Sequence, residues 1–298
     1  MLNKSELAKL SENIIFDEPM SAHTSFKIGG NADAFVSAQS VDEIRTLTAY
    51  CRDNDIPCTV IGNGTNLLVG DKGIRGLVIS VGGGMQNCLI DGDTVYAQAG
   101  ILMSKLSHRI LNAELSGFEA LSGIPGTLGG GIYMNAGAYG TEIKDVVYEV
   151  TYINGNNEIK TIKNEEIGFS YRRSIFTEND IILSAVLKLK KDSRENIAAA
   201  MKDYSKRRAD KQPLSMPSAG STFKRPEGYF AGKLIQDCGL MGYSIGGAAV
   251  SEKHAGFVVN KGGATAADVL ALIKYIQTTV KDKYGVELSP EIRLTGEN

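Results

Sequence analysis

From residue 32 onward, short apolar runs of strand length alternate with segments whose apolar positions recur every three or four residues. "ADAFVSAQ" (32–39) predicts a strand, and Ser40 followed by Glu43 carries the signature of a helix-capping box. Ile44, Leu47 and Cys51 then fall on one face of the helix that follows. "IPCTVIG" predicts the next strand, ending in the glycines of "GNGTN". "GLVISVGGG" and "TVYAQAG" read as strands, and "LMSKLSHRILNAE" as a helix with Leu102, Leu106 and Ile110 on one face. A glycine-rich stretch follows, and then three alternating segments predicted as strands: "DVVYEVTYI", "EIKTI" and "IILSAVLKLK".

At Asp192 the pattern changes. Asp192 and Glu195 are expected to open a helix over "SRENIAAAMKDYSKRRADKQ", which Pro213 closes. A loop rich in Ser, Pro and Gly covers 213–221. Thr265 with Asp268 forms a second capping box, heading a helix with Val269, Leu272, Ile273, Ile276 and Val280 on one stripe and Gly285 as its stop. "VELSPEIRL" reads as a loop and a short strand. The main boundary is expected near residue 192, with a two-lobed unit before it and a smaller domain after it.

The chain has 298 residues, 43% hydrophobic and 22% charged, which is ordinary globular composition. A net charge of −2, no Trp, and basic stretches as short as "KLKK" (188–191) and "KRRADK" (206–211) argue against nucleic acid; both stretches read as solvated faces. The four cysteines show no CxxC spacing and read as small buried residues or free thiols of a reducing cytoplasm. The three histidines lie far apart, so no metal site is expected. No apolar run is long enough for a leader or a membrane span, so a cytoplasmic enzyme is expected.

"VIGNGTNLLV" (60–69) starts like a dinucleotide fingerprint, but position 67 is Leu, no helix follows, and 79–88 holds no acidic residue. A phosphate loop of the Gly-Lys-Ser/Thr type is also absent. What remains is a run of little-covered backbone amides at Gly62, Asn63, Gly64, Thr65 and Asn66, the makings of an anion nest. In "GIPGTLGGGIYMNAGAYG" (123–140), seven of eighteen residues are glycine. A helix is expected after Pro125, its N-terminus favouring an anion. Gly123, Ile124, Pro125, Gly126, Thr127, Gly129, Gly130, Asn135, Gly137 and Ala138 are the candidate contacts in this second loop. Each loop alone reads equally as a tight turn; together they favour a dinucleotide cofactor.

Three polar centres follow. "FSYRRS" offers Tyr171, Arg172 and Arg173, and an arginine fork suits carboxylate or phosphate. "PSAGSTFKRP" sets Ser221 on a glycine-primed loop before Lys224 and Arg225, and "LSPEIRL" places Glu291 after a proline. Taken singly these are surface arginines, a turn serine and a surface ion pair. No histidine accompanies Ser221 in an elbow pattern, so a hydrolase triad is unsupported. His254 reads as structural rather than as a base.

In this order and at these distances, "TSFKIGG", "VIGNGTNLLV", "GIPGTLGGGIYMNAGAYG", "YRRS", "AGSTFKRP" and "PEIRL" closely resemble the UDP-N-acetylenolpyruvoylglucosamine reductases (MurB), from about residue 20 to 294. The resemblance implies an α+β fold: a two-lobed FAD-binding unit of the vanillyl-alcohol-oxidase-like (PCMH) type (1–84 and 85–191), then a smaller α+β substrate-binding domain (192–298). The last residues, about 286–298, are expected to return toward the active site. It implies non-covalent FAD, with NADPH as hydride donor and UDP-N-acetylglucosamine enolpyruvate reduced to UDP-N-acetylmuramate for peptidoglycan. Matched by motif, Arg172 and Glu291 stabilise the enolate, Ser221 donates the proton, and Tyr171, Lys224 and Arg225 bind substrate. The implied partners are these small molecules, without nucleic acid, membrane or metal, in a protein expected to be a monomer with no more than weak self-association.

Two features depart from the longer members of that family. Arg225 stands where many carry asparagine, and the segment between Arg172 and Ser221 is short for their Tyr-bearing loop, so the chain resembles the shorter subclass. Two other readings stay open: an FAD-dependent sugar or alcohol oxidase of the same superfamily, which has no need of the Arg172, Ser221 and Glu291 trio, and a non-catalytic nucleotide-sugar-binding protein, which would be colourless.

Overall fold

The alternating segments between residues 88 and 188 pair into one antiparallel sheet, in the order Ile159–Lys163, Val147–Ile153, Ile181–Lys188, Thr94–Gln98, Cys88–Asp91. One face of it packs on the helix Met103–Asn112, whose Met103, Leu106 and Ile110 are buried with Val95, Ala97, Val150 and Leu187. The computed structural model describes residues 2–298 and divides the chain into two compact units. Residues up to 16, 34–63 and 76–208 form the first; residues 17–33, 64–75 and 209–298 form the second.

Unit 1 contains a second core. The helix Val41–Asp53 buries Ile44, Leu47 and Cys51 against Val36, Leu77 and Ile79, and also against Ile153, Ile181 and Leu183 of the antiparallel sheet. Its start is the expected one, with the Ser40 hydroxyl accepting the Glu43 amide. The reciprocal bond reaches one residue further back, because the Glu43 carboxylate accepts the Gln39 amide. The strands of this lobe lie in the order Ile14–Pro19, Asn31–Ser37, Ile74–Ser80, Cys58–Ile61, the last two parallel. The strand expected through "VGGG" stops at Ser80, where the Gly84 amide turns back to the Ala38 carbonyl. The helix Lys4–Leu10, outside the pattern read from residue 32 onward, adds buried Leu7 to this core.

The helix Arg194–Lys211 begins at a different cap from the one expected. Ser193 accepts the Asn196 amide, while Asp192 instead accepts from Ser193 N–H and from the Asn196 side chain. Serine with its short hydroxyl reaches the third amide where the sequence reading relied on acidic residues. By packing, this helix belongs to unit 1 as far as Arg208.

Unit 2 is organised by the helix Ala266–Tyr284, whose Val269, Leu272, Ile273, Ile276 and Val280 bury against Val250, Val258, Leu234 and Ile235. Phe26, Ile28 and Leu68 reach the same core from the two early segments. Leu67–Val69 pairs in parallel with the carboxyl-terminal strand Arg293–Thr295, and the Asn260 side chain donates to the Phe26 carbonyl. The helix start is fully capped. Thr265 and Asp268 exchange both bonds of the expected box, the Asp71 carboxylate accepts the Ala266 and Ala267 amides at 2.7 and 3.0 Å, and Gly285 ends the helix with φ 69°.

These caps give a stability prediction. Thr265→Ala should lower unfolding stability by about 1 kcal/mol, read as a lower urea midpoint with an unchanged m-value. The Asp268 carboxyl is held below its ordinary range by the amides of Thr265 and Gly247. A depressed pKa means the stabilisation is present at neutral pH and is lost as pH falls through the folded-state value. Asp268→Asn should therefore flatten the fall of the urea midpoint between neutral and acid pH; an unchanged acid limb would contradict this.

Candidate active site

In unit 1 three glycine runs come together. A Cβ on Gly62 would sit 2.6 Å from the Thr127 hydroxyl oxygen, so the turn leaving the strand Cys58–Ile61 can lie against Thr127 only as glycine. A Cβ on Gly82 would lie 3.6 Å from both the Gly62 carbonyl and the Thr127 methyl, and Ser80 donates to the Gly62 carbonyl at 3.3 Å. Ser80 and Gly82 are silent in a sequence reading that runs the strand through "VGGG"; three glycines after "GLVIS" are a loop signal.

Thr127 is buried and caps the helix Leu128–Tyr133, accepting the Gly130 amide at 3.3 Å. The helix expected after Pro125 is present, but the expected anion site at its N-terminus is not. Leu128 N–H donates to the Ile101 carbonyl, Gly129 N–H to the Ala99 carbonyl, and Gly130 N–H to Thr127. The first three amides are therefore engaged inside the protein. The turn at 63–64 differs, since among the described residues the amides of Asn63 and Gly64 donate to no protein group. Gly64 has φ 60°, and a Cβ there would lie 2.0 Å from the His23 carbonyl oxygen. Asn63, Gly123, Pro125 and Gly130 are exposed, and glycine at two of these positions suits close approach of a pyrophosphate or a flat ring.

The carboxyl end of the second loop is tied to the arginine motif. Ser170 and Arg173 exchange both backbone bonds, so Tyr171 and Arg172 form the tip of a tight turn, with Arg172 at φ 55°. That conformation costs a non-glycine residue about 1 kcal/mol and is held by its surroundings. Ser174 is buried and donates to the Tyr133 carbonyl at 2.7 Å; Asn135 donates to the Ser170 carbonyl at 3.0 Å; Arg172 donates to the Gly137 carbonyl at 3.3 Å, its guanidinium 4.9 Å from the Tyr171 ring centroid. Asn135, a candidate cofactor contact, is fully buried, and its side chain also donates to Glu142 and accepts the Lys144 amide. Its side chain holds the loop. Gly137 and Ala138 pair with Thr141–Glu142 in a two-residue ribbon. Arg208, expected on a solvated face, is half-buried with its stem 3.3 Å from where a Gly123 Cβ would be, and burial lowers its pKa.

In unit 2 the backbone brings Ser221 and Glu291 into one neighbourhood. Ser221 is exposed and precedes Thr222, which is buried; Thr222 donates its amide to Gly256, accepts the Val258 amide on its hydroxyl, and accepts the Glu291 amide on its carbonyl at 2.8 Å. Asn66 donates from its side chain to the Glu291 carbonyl at 3.1 Å and accepts the Arg293 amide on its own carbonyl, placing Thr65 and Asn66 beside the same strand. Lys224 pairs its amide with the Ser289 carbonyl. Arg225 is exposed, with its guanidinium 3.9 Å from the Phe230 ring centroid and Nε donating to the Tyr229 carbonyl. His254 accepts the Gly256 amide on Nδ1 and meets Phe257 edge-on, and burial holds its pKa below the ordinary value, the pattern of a neutral structural histidine. Arg172 belongs to unit 1, Ser221 and Glu291 to unit 2.

Comparison with known proteins agrees with this geometry. Residues 32–163 match the FAD binding domain family, and residues 212–295 match the C-terminal domain of UDP-N-acetylenolpyruvoylglucosamine reductase. The chain is 54% identical to the UDP-N-acetylenolpyruvoylglucosamine reductase of Caldanaerobacter subterraneus subsp. tengcongensis, over 95% of this chain and 94% of the relative. It is 50% identical to that of Syntrophomonas wolfei, over 96% of each. The chain belongs to the UDP-N-acetylenolpyruvoylglucosamine reductase family. The crystal structure of the Thermus caldophilus reductase superposes with a TM-score of 0.82 at 33% identity, covering 95% of this chain and 98% of the other.

Membership of the reductase family makes the protein an FAD-containing oxidoreductase and bears out the expected flavin unit and C-terminal domain. Its length fits the shorter subclass. The residues present suit FAD, because the amides of Asn63 and Gly64 donate to no protein group among the described residues and Gly123 and Gly130 are exposed without side chains. Among the described residues no helix is long and apolar enough to cross a membrane. Gly62→Ala should strain the buried contact with Thr127 by roughly 1–3 kcal/mol. Borne by the cofactor site, that strain weakens flavin binding about 10- to 100-fold. The check is the visible-to-ultraviolet absorbance ratio of purified protein with an unchanged circular dichroism spectrum; full flavin content would show that the contact does not shape the site.

Proposed function

We propose that this chain reduces UDP-N-acetylglucosamine enolpyruvate to UDP-N-acetylmuramate in peptidoglycan precursor synthesis, with FAD as cofactor and NADPH as hydride donor. The observation that carries this is 54% identity over 95% of the chain to a reductase of that name. The Asn63–Gly64 turn with its amides directed to no protein acceptor supports the same reading. When bound, FAD supplies the redox chemistry, passing a hydride from NADPH to the alkene carbon distal to the substrate carboxylate. Backbone at Gly62, Asn63, Gly64, Thr65 and Asn66, with the segment from Gly123 to Ala138, holds the cofactor.

The protein's own part is electrostatic. Negative charge grows on the substrate carboxylate as the alkene is reduced, and fixed donors there lower the barrier most effectively when they need no rearrangement. Arg172 is given this role, which the hydrogen bond to Gly137 and the anchored turn support. Glu291 polarises the same carboxylate, and Ser221 donates the proton to the carbon of the enolate. A serine hydroxyl is a weak acid, but a carbanion-like acceptor is basic enough to take its proton. Tyr171, Lys224 and Arg225 hold the substrate, with Arg225 in place of the usual asparagine at the diphosphate. The flavin lobes are proposed as 1–84 and 85–191 and the substrate domain as 192–298, a division by chain order from which packing departs, since Arg194–Arg208 sits with unit 1 and 17–33 and 64–75 with unit 2. On this reading the partners are small molecules only, and the protein acts as a cytoplasmic monomer.

Anaerobic absorption spectroscopy tests the reading. A yellow protein should bleach with NADPH and regain its colour with the enolpyruvyl sugar nucleotide; bleaching without reoxidation by that substrate would sink the assigned activity. Ser221→Ala should keep its flavin and its reduction by NADPH, while the second half-reaction slows by about 10²- to 10⁴-fold. Normal turnover of this variant would remove Ser221 from the proton-donor role.

A further inference from the structure

In unit 2, Phe230 occupies the N-cap position of the helix Ala231–Asp237. That position favours a small polar side chain that accepts an amide at the helix start, and phenylalanine makes no such bond. Nor does Phe230 join a core. Its ring is 61% exposed, and among the described residues only Leu89 is a more exposed large apolar side chain. A residue that gives up both a cap and burial breaks the local rules, and such breaks gather at functional positions. The Arg225 guanidinium lies over one face of the ring, 3.9 Å from its centroid. With that face covered, exposure this high leaves the opposite face open to solvent. We propose that the open face of Phe230 is the base platform of the substrate site, on which the uracil ring of the sugar nucleotide stacks.

The proposal rests on the reductase reading above and adds to it the residue that holds the base. Arg225 donates from Nε to the Tyr229 carbonyl at 3.2 Å, and the Tyr229 amide donates to the Pro226 carbonyl. Guanidinium and ring are thus carried by one closed turn, with Gly228 at φ 73°. Beyond the ring, a Cβ on Gly232 would lie 3.2 Å from the Gly256 nitrogen, so the first turn of the helix packs directly on that segment. The Gly256 carbonyl in turn accepts the Thr222 amide. The turn that carries Phe230 is therefore tied at both ends to the loop of Ser221 and Arg225.

A flat apolar face backed by a guanidinium fits a nucleobase joined to a diphosphate. The ring supplies stacking, and the arginine supplies charge for the phosphates. A base on the open face and the guanidinium on the other lie about 7 Å apart, the sum of two van der Waals contacts, which a ribose and the phosphate it carries can span. Phe230 falls in the stretch 212–295 that matches the reductase C-terminal domain, whereas the flavin-domain match ends at 163. The platform is accordingly assigned to the substrate's base and not to the adenine of FAD.

Kinetics and inhibition of the flavin-loaded enzyme test this. In Phe230→Ala, the KM for the enolpyruvyl sugar nucleotide and the inhibition constant of UDP should both rise about 5- to 150-fold, the weight of one base–aromatic stack. The kcat, the KM for NADPH and inhibition by inorganic pyrophosphate, which has no base, should stay unchanged. Phe230→Tyr keeps the ring face and should retain the constants of the unaltered enzyme. Unchanged UDP inhibition in the alanine variant would overturn the proposal. So would a rise in the NADPH constant alone, which gives the ring to the dinucleotide, or an equal loss for UDP and pyrophosphate, which makes the ring a support for Arg225. Should the alanine variant fail to fold, unaltered protein carrying ring-labelled phenylalanine decides. UDP, but not pyrophosphate, should then shift one ring resonance that is missing from Phe230→Tyr, and no shift would refute the platform. Failure of the unaltered enzyme to turn over the sugar nucleotide would instead sink the reductase reading, and calorimetry of UDP binding to the two proteins would still decide the role of Phe230.

Discussion

The flavin side of this molecule depends on one close contact between backbone and side chain, where the Gly62 turn lies against Thr127. Thr127 is placed by several constraints at once. It is buried, it caps the short helix Leu128–Tyr133, and the amides of Leu128 and Gly129 are fixed on the carbonyls of Ile101 and Ala99. Those carbonyls follow directly from the strand Thr94–Gln98, an inner strand of the antiparallel sheet. The sheet therefore sets the helix, the helix cap sets Thr127, and Thr127 leaves room at position 62 for glycine alone. Interiors are packed closely enough that such a relay transmits position with little slack.

Much of the fold was legible from the chain because the decisive signals are local. The capping boxes at Ser40 and Thr265, the stop at Gly285 and the apolar stripe through Val269 and Ile276 act within a few residues. The early segments 17–33 and 64–75 behave differently. Phe26, Ile28 and Leu68 bury in a core assembled from residues beyond 209, and no local period announces a partner so distant in sequence. The strand Leu67–Val69 likewise pairs with residues 293–295. Such placements follow from topology, which short windows do not carry.

The candidate site divides along the same line. Glycine and motif residues were visible as residue types, but the occupancy of their hydrogen bonds was not. The helix after Pro125 was expected to present an anion site, and the carbonyls of Ala99 and Ile101 take its amides. Asn135 reads as a ligand contact in a glycine loop, and the buried network around it engages its whole side chain with Glu142, Ser170 and Lys144. Conversely, Thr222 carried no sequence signal, although its carbonyl accepts the Glu291 amide while its own amide and hydroxyl tie the Ser221 loop to Gly256 and Val258. A buried threonine with every polar atom paired is chemically quiet and structurally decisive.

On the role proposed for Arg172, the residues that anchor its turn matter to the chemistry. A guanidinium on a mobile loop would have to be ordered each time charge developed, and that reorganisation would subtract from its effect. Here Arg172 sits at a positive φ that an isolated chain would avoid. Ser170 and Arg173 close the turn, Ser174 pins one side to the Tyr133 carbonyl, and Asn135 pins the other. The strain is met by these bonds in the folded protein before any substrate arrives. An unfavourable backbone angle held by buried serine and asparagine thus supports a preorganised positive charge, which a flexible surface arginine of the same sequence motif would not provide.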